Sequence, residues 1–170
     1  MYPSSTSRVQ AGCYERASGR FGFRRSVAAA GHRADTGQAV ASDNVEIVRR
    51  MLAFFHHGDA ESALSCFSRD VVADVSRRAD GRIGIGRGEL SRIIGEWLGT
   101  FEEWAEEVTE IHDLGARVLV VAIQRGRGKG SGAEVASQYA TIYGIGNGEI
   151  VSMTLYPDVA EGRRAAGLRD

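Results

Sequence analysis

The chain has 170 residues, 43% of them hydrophobic and 25% charged, an ordinary composition for one globular domain that excludes collagen-like, coiled-coil and wholly disordered chains. Its 21 basic and 22 acidic residues nearly cancel, so no strong field of one sign argues for nucleic acid, and no apolar run approaches the roughly 18 residues needed to cross a membrane. Two cysteines, Cys13 and Cys66, make no disulfide framework and no CxxC pair offers a zinc site, so the expectation is a cytoplasmic protein without metal or cofactor.

Residues 1–42 carry Arg8, Arg16, Arg20, Arg24, Arg25 and Arg33 against only Glu15 and Asp35, and show no sustained apolar period. Such a segment buries too little apolar surface to offset its ordering entropy and reads as a disordered, Arg-rich extension. An acid-poor, Arg-rich leader also resembles an organelle transit peptide. Lys129 is the only lysine, however, and that arginine bias points to a GC-rich bacterial genome instead. The remainder, with 15 basic and 20 acidic residues, is long enough for one sound core.

From Asp43 the period becomes helical. Val45, Val48, Leu52 and Phe55, widened by Met51 and Phe54, form one stripe behind an Asp43–Glu46 capping box, and Gly58 supplies the stop. Asp59 then caps a short second helix through about Cys66. Residues 70–76 alternate as a strand with Val71, Ala73 and Val75 on one face, and a Gly-rich stretch over 82–88 leads to a third helix. Leu90, Ile93, Ile94, Trp97, Leu98 and Phe101 define the apolar side of that helix, with Trp104 continuing it.

Beyond Trp104 the period changes from 3.6 to 2. Residues 106–113, 117–127, 133–145 and 149–156 are four successive strand candidates, and Asn147-Gly148 in the last connection is the favoured pair for a type I′ hairpin. Asp158 and Glu161 suit a capping box for a short terminal helix. Helices followed by a run of hairpins define an α+β class, with helices covering one face of a curved sheet and the other face open to a partner, which predicts a homodimer.

Particular runs carry a further resemblance. They are residues 44–50 (NVEIVRR), 55–60 (FHHGDA), 67–71 (FSRDV), 86–89 (GRGE), 126–132 (GRGKGSG) and 146–151 (GNGEIV). In this order, over residues 43–167, the chain resembles the SnoaL-like branch of the nuclear-transport-factor-2-like superfamily. The resemblance implies a cone-shaped antiparallel sheet wrapped around N-terminal helices, with a mostly apolar pocket at its wide end and frequent homodimers. Members include polyketide cyclases, steroid isomerases, epoxide hydrolases, dehydratases and proteins that only bind, so chemistry has to be argued from pocket residues.

By position, the donor tyrosine of the steroid isomerases falls on Met51 and the base on Val75, and neither side chain can transfer a proton. The acidic run of the polyketide cyclases falls on Met153-Thr154-Leu155, without an acid. Asp74, with Arg77 or Arg125, offers only fragments of an epoxide-hydrolase relay. The remaining catalytic candidates are Asp74, should a bulge turn it inward, and His112, which shares a period-two face with Val108 and Glu110 and has a reference pKa near 6.5. His56 and His57 point about 100° apart on a helix and suit its C-terminal dipole better than a metal. The glycine runs fail phosphate-loop spacing, and Cys66 reads as packing.

The expected pocket lining is Met51, Phe55, Val75, Trp97, Gln124, Tyr139, Tyr143 and Tyr156, with Gln124 needing a polar partner in mid-strand. The functional expectation is a small, largely apolar metabolite held between helices and sheet and either bound or transformed there. The alternative is a scaffold whose cavity is closed by its own side chains.

Overall fold

In the computed structural model, which describes residues 43–168, the first apolar stripe forms helix α1 (Asp43–His56), burying Val45, Ile47, Val48, Met51 and Leu52. The extension expected over 1–42 lies outside the described residues. Gly58 takes a left-handed φ of 76° after α1, as the side chain of His57 closes the last turn on the Ala53 carbonyl at 2.6 Å. The Asp59 carboxylate then accepts the Ser62 amide at 3.0 Å and caps helix α2 (Ala60–Ser65).

Strand β1 (Phe67–Asp74) begins three residues earlier than alternation alone predicts, and a short strand β2 (Ile83–Ile85), which the Gly-rich composition concealed, pairs antiparallel with it. Helix α3 (Arg87–Leu98) buries Leu90, Ile93 and Leu98. It stops at Gly99, where the Thr100 hydroxyl donates to the Trp97 carbonyl at 2.7 Å. Phe101 and Trp104, expected on this helix, therefore belong to strand β3 (Phe101–Asp113). A helical stripe and an alternating one coincide over these few residues, and the Gly99-Thr100 break decides between them.

Strands β4 (Arg117–Gly128), β5 (Glu134–Gly146) and β6 (Glu149–Tyr156) complete a single six-stranded sheet in the order β2-β1-β6-β5-β4-β3. All neighbours are antiparallel except β1 and β6. The β5–β6 turn has positive φ at both Asn147 (51°) and Gly148 (77°), the signature of the type I′ hairpin that the Asn-Gly pair predicts.

Alternation sorts the strands into two faces. Val118 and Val120 of β4, Tyr143 of β5 and Met153 of β6 join the α1 and α3 side chains in the main core. Leu119, Val121, Ala140, Ile142 and Tyr156 face the opposite way and pack with Ala166 of the terminal helix α4 (Val159–Ala166). Helices therefore cover parts of both faces, which corrects the expectation of one covered face. Gly162 makes the close approach of α4 feasible, since a Cβ there would lie 2.6 Å from that of Ala140. Asp158 caps α4 by accepting the Ala160 amide at 2.8 Å, but Glu161 does not complete the box and instead accepts from Arg77 at 3.1 Å.

One irregularity matters for function. The β3–β4 register runs from Val108 opposite Ala122 directly to Glu110 opposite Val121, so Thr109 is an extra residue in a β-bulge. A bulge exchanges inside and outside for everything beyond it. Among the described residues no helix is long and apolar enough to cross a membrane.

Candidate functional site

A cavity of about 260 Å³ opens between the three N-terminal helices and the concave face of the sheet. Leu52, Phe67 and Ile93 supply aliphatic and aromatic floor, and five further aromatic side chains, Phe55, Trp97, Trp104, Tyr139 and Tyr143, form much of the wall. Phe55 meets Trp104 edge-on with ring centroids 5.5 Å apart, which ties the end of α1 to β3. Size, concavity and apolar walls with a few convergent polar groups are the general features of small-molecule sites.

Within these apolar walls lies one carboxylate, Glu106, whose side chain is only 6% exposed. It stands on β3 opposite Gln124 of β4, one alternation step from Trp104, and so faces the helices. Tyr139 stands close enough for the carboxylate charge to act on its phenol. Tyr139 is on β5, opposite the small Ala122 of β4, which leaves room for the phenol ring to reach across to β3. His56, the last residue of α1, brings Nε2 to 3.9 Å from the second carboxylate oxygen. Burial, then the Glu106 charge, hold the Tyr139 pKa well above the usual 10.0, so the phenol stays protonated and serves as a donor. Tyr143 is likewise pushed up, first by burial and then by Glu106.

The rest of the polar lining is sparse. Gln124 donates to the Ser137 hydroxyl at 2.8 Å, across paired positions of β4 and β5. The guanidinium of Arg78, in the β1–β2 loop, lies 3.6 Å above the Trp97 ring. Trp104 Nε1 is buried and has no hydrogen-bond partner among the described residues.

The structure brings together Met51, Phe55, Val75, Trp97, Gln124, Tyr139 and Tyr143 on this lining. Tyr156 lies outside it. One step beyond Leu155 on β6, it turns to the opposite face, where it packs under α4 and carries Arg77 at 4.4 Å over its ring. His112 is also outside. The Thr109 bulge reverses its expected orientation, so Ile111 packs inward while His112 hydrogen-bonds Glu110 at 2.7 Å and Glu110 pairs with Arg163 of α4.

Asp74 likewise lies off the lining, because Val75 takes the inward position and no bulge reverses the end of β1. Its carboxylate is held by the Ser76 hydroxyl at 2.6 Å and by Arg77 at 3.2 Å, contacts that lower its pKa, with the Ser76 hydroxyl the largest cause. Met51, Val75, Met153 and Leu155 all border the cavity, so the positions where the resemblance would put donor, base and acid are apolar wall here.

Sequence reading missed Glu106, Trp104 and Arg78. Glu106 stands in a run with four other glutamates between 102 and 110, which reads as a solvated edge, and only its alternation with Val108 marks it as inward. Trp104 was assigned to the wrong element. Arg78 sits in a loop, where no period exists to give direction. Among the described residues no group of three or more His, Cys, Asp or Glu side chains could hold a metal ion.

Fold and cavity together define an α+β protein whose helices and sheet enclose an open cavity. The SnoaL-like domain family matches residues 48–153, more than half of the chain, and the chain belongs to that family. A comparison with curated proteins finds no match.

Solved structures share the fold. A nuclear-transport-factor-2-like protein of unknown function from Burkholderia pseudomallei K96243 is 23% identical with a TM-score of 0.62, over 73% of this chain and 97% of its own. TerC, co-crystallised with polyporic acid, is 17% identical with a TM-score of 0.61, over 74% and 99%. A protein of ketosteroid-isomerase-like fold from Catenulispora acidiphila DSM 44928, in complex with trimethylamine, is 22% identical with a TM-score of 0.58, over 73% and 94%. At these identities the likeness concerns the fold alone.

Proposed function

We propose that this chain binds a small, largely apolar metabolite in the cavity between helices and sheet, and that Glu106 is the group that exchanges a proton with it. The observation that carries this reading is a buried carboxylate, with the Tyr139 phenol beside it, inside an open and mostly apolar cavity. A carboxylate in apolar surroundings can accept a proton from carbon or oxygen and return it, while a neutral tyrosine beside it can donate to a developing oxyanion. Isomerase, cyclase, dehydratase and hydrolase reactions all use that step. Two proteins of this fold were crystallised with small molecules, TerC with polyporic acid and the Catenulispora protein with trimethylamine, which supports small-molecule binding. The open cavity argues against a self-filled scaffold.

Trp97 and Trp104 are the only two tryptophans in the chain and both line the cavity, so intrinsic fluorescence reports directly on it. A screen of aromatic and alicyclic metabolites should give saturable quenching or enhancement for some of them. For any compound that is turned over, Glu106→Gln should lower kcat by about 10²- to 10⁴-fold, the usual contribution of a general base. Unchanged fluorescence across the screen would remove the binding reading, and undiminished turnover in Glu106→Gln would remove the role of Glu106.

We also propose that the protein forms a homodimer. Val72, Ile83 and Ile85 support it, because cross-strand pairing places these exposed apolar side chains together on the β1–β2 edge. Light scattering should give twice the chain mass, and a concentration-independent monomer would refute it.

A further inference from the structure

The cavity wall carries a fixed cation without a hydrogen-bond partner among the described residues, and that group describes a ligand. Gln124 donates to Ser137, and Glu106 has His56 3.9 Å away as a neighbour able to carry positive charge. Two of the wall's donors lack a hydrogen-bond partner among the described residues, and of these only Arg78 is open to a ligand. Trp104 Nε1 is buried without a partner, and the Arg78 guanidinium, only 19% exposed, has among the described residues a single charged neighbour, Asp80, at 3.9 Å. That distance is too long for a hydrogen bond, and the Asp80 side chain is 86% exposed.

Arg78 is also held in place. Its backbone amide donates to the Val75 carbonyl at 3.1 Å, its carbonyl accepts from Gly81 at 3.0 Å, and its guanidinium stacks on Trp97. Gly81 is the residue that permits so tight a turn, since a Cβ there would fall 1.7 Å from the Val75 carbonyl oxygen. Desolvation pulls the Arg78 pKa down, a cost of keeping the cation at an apolar wall that an anionic partner would offset.

We propose that the ligand of this cavity is acidic: an apolar, ring-sized molecule whose carboxylate, or an equally acidic enol or phenol oxygen, seats on the Arg78 fork. This rests on the reading of the cavity as a binding site and adds its specificity. A planar guanidinium fixed by stacking leaves its N–H edges free for a two-point contact with an oxyanion, the pairing that distinguishes arginine from a mobile lysine. A cationic ligand drawn to Glu106 is the competing outcome, and it would leave the Arg78 fork unused.

Isothermal titration calorimetry of the full chain with three matched probes decides between these outcomes: 2-naphthoate, its methyl ester and 2-naphthylmethylammonium. The carboxylate should bind at least about ten-fold more tightly than the ester, the range expected for a hydrogen bond to a charged group. Arg78→Met should erase that preference while leaving ester affinity within about two-fold, and Arg78→Lys should retain part of it. Should Arg78→Met fold poorly by circular dichroism, added salt on the wild type serves instead, weakening naphthoate but not ester. Equal affinities, preference for the ammonium probe, or a carboxylate preference that survives Arg78→Met or added salt would overturn the proposal alone. Failure of all three probes to bind folded wild type would overturn the binding reading beneath it.

Discussion

Tyr139 of β5 and Glu106 of β3 face the same cavity across the position of Ala122, and the carboxylate charge acts on the phenol although their strands are not neighbours in the sheet. Burial first, and the carboxylate charge second, keep the phenol protonated.

Removing the charge should therefore be visible on the tyrosine. In Glu106→Gln the Tyr139 pKa should fall from its raised position toward the ordinary 10.0, without reaching it because burial is the larger cause and persists. Carbon-13 NMR of tyrosine Cζ through an alkaline titration measures this. A Tyr139 resonance that titrates as in the wild type would refute the influence of that charge.

Ligand affinity should separate the two faces of the sheet. His112→Ala and Asp74→Asn alter polar clusters outside the cavity, so a fluorescence-detected ligand should bind both variants as it binds wild type, whereas Tyr139→Phe should shift its affinity. The His112–Glu110 pair is partly exposed, and its loss should cost no more than about 1 kcal/mol by chemical denaturation.

Two glycines in helices should respond to alanine with opposite signs. Gly95 in α3 has no atom within 4 Å of a prospective Cβ, so Gly95→Ala should stabilise by about 0.5–1 kcal/mol through the lower backbone entropy of the unfolded chain. Gly162 in α4 meets Ala140, and Gly162→Ala should destabilise by about 1–3 kcal/mol through overpacking. Urea denaturation of both variants gives the two signs directly.

Acid should act through Glu89. Hydrogen bonds from Arg92, then Arg82, hold its pKa at about 2 instead of 4.5. A carboxylate depressed in the folded state contributes stability in full above its unfolded pKa and loses it as pH falls through the folded value. The stability difference between wild type and Glu89→Gln should thus be constant above about pH 5, and shrink as the pH drops from 4.5 toward 2. Arg82 belongs to the loop that carries Arg78, so the same acid range should loosen the Arg78 side of the cavity. Denaturation curves at stepped pH test the sign.

Steroid-type allylic isomerisation should be absent, because Glu106 and Tyr139 approach the cavity from β3 and β5 and not from the places of that reaction's base and donor. Met51 and Val75 border the cavity where the resemblance would place donor and base, so wild type should not turn over a β,γ-unsaturated ketosteroid above background. Met51→Tyr with Val75→Asp should introduce a weak rate, and an absorbance assay for the conjugated product compares the two.

Sequence alone determined what is periodic. The α1 stripe, the long strands, the Asn147-Gly148 hairpin and the Asp59 and Asp158 caps were legible because each depends on residues a few positions apart, whose spacing maps directly onto a helix turn or a pleat. Most of the apolar and tyrosine lining followed from the same alternation.

Tertiary structure decided everything that depends on a break in the period. The Gly99-Thr100 stop moved Phe101 and Trp104 from helix to strand, and the Thr109 bulge sent His112 to α4 while Glu106, on the near side of it, stayed inside. The long reach of Tyr139 to Glu106 and of Arg78 to Trp97 joins elements far apart in the chain. No local pattern encodes those pairings, because they come from how the sheet curls and where its loops close, and the polar half of the candidate site is made of them.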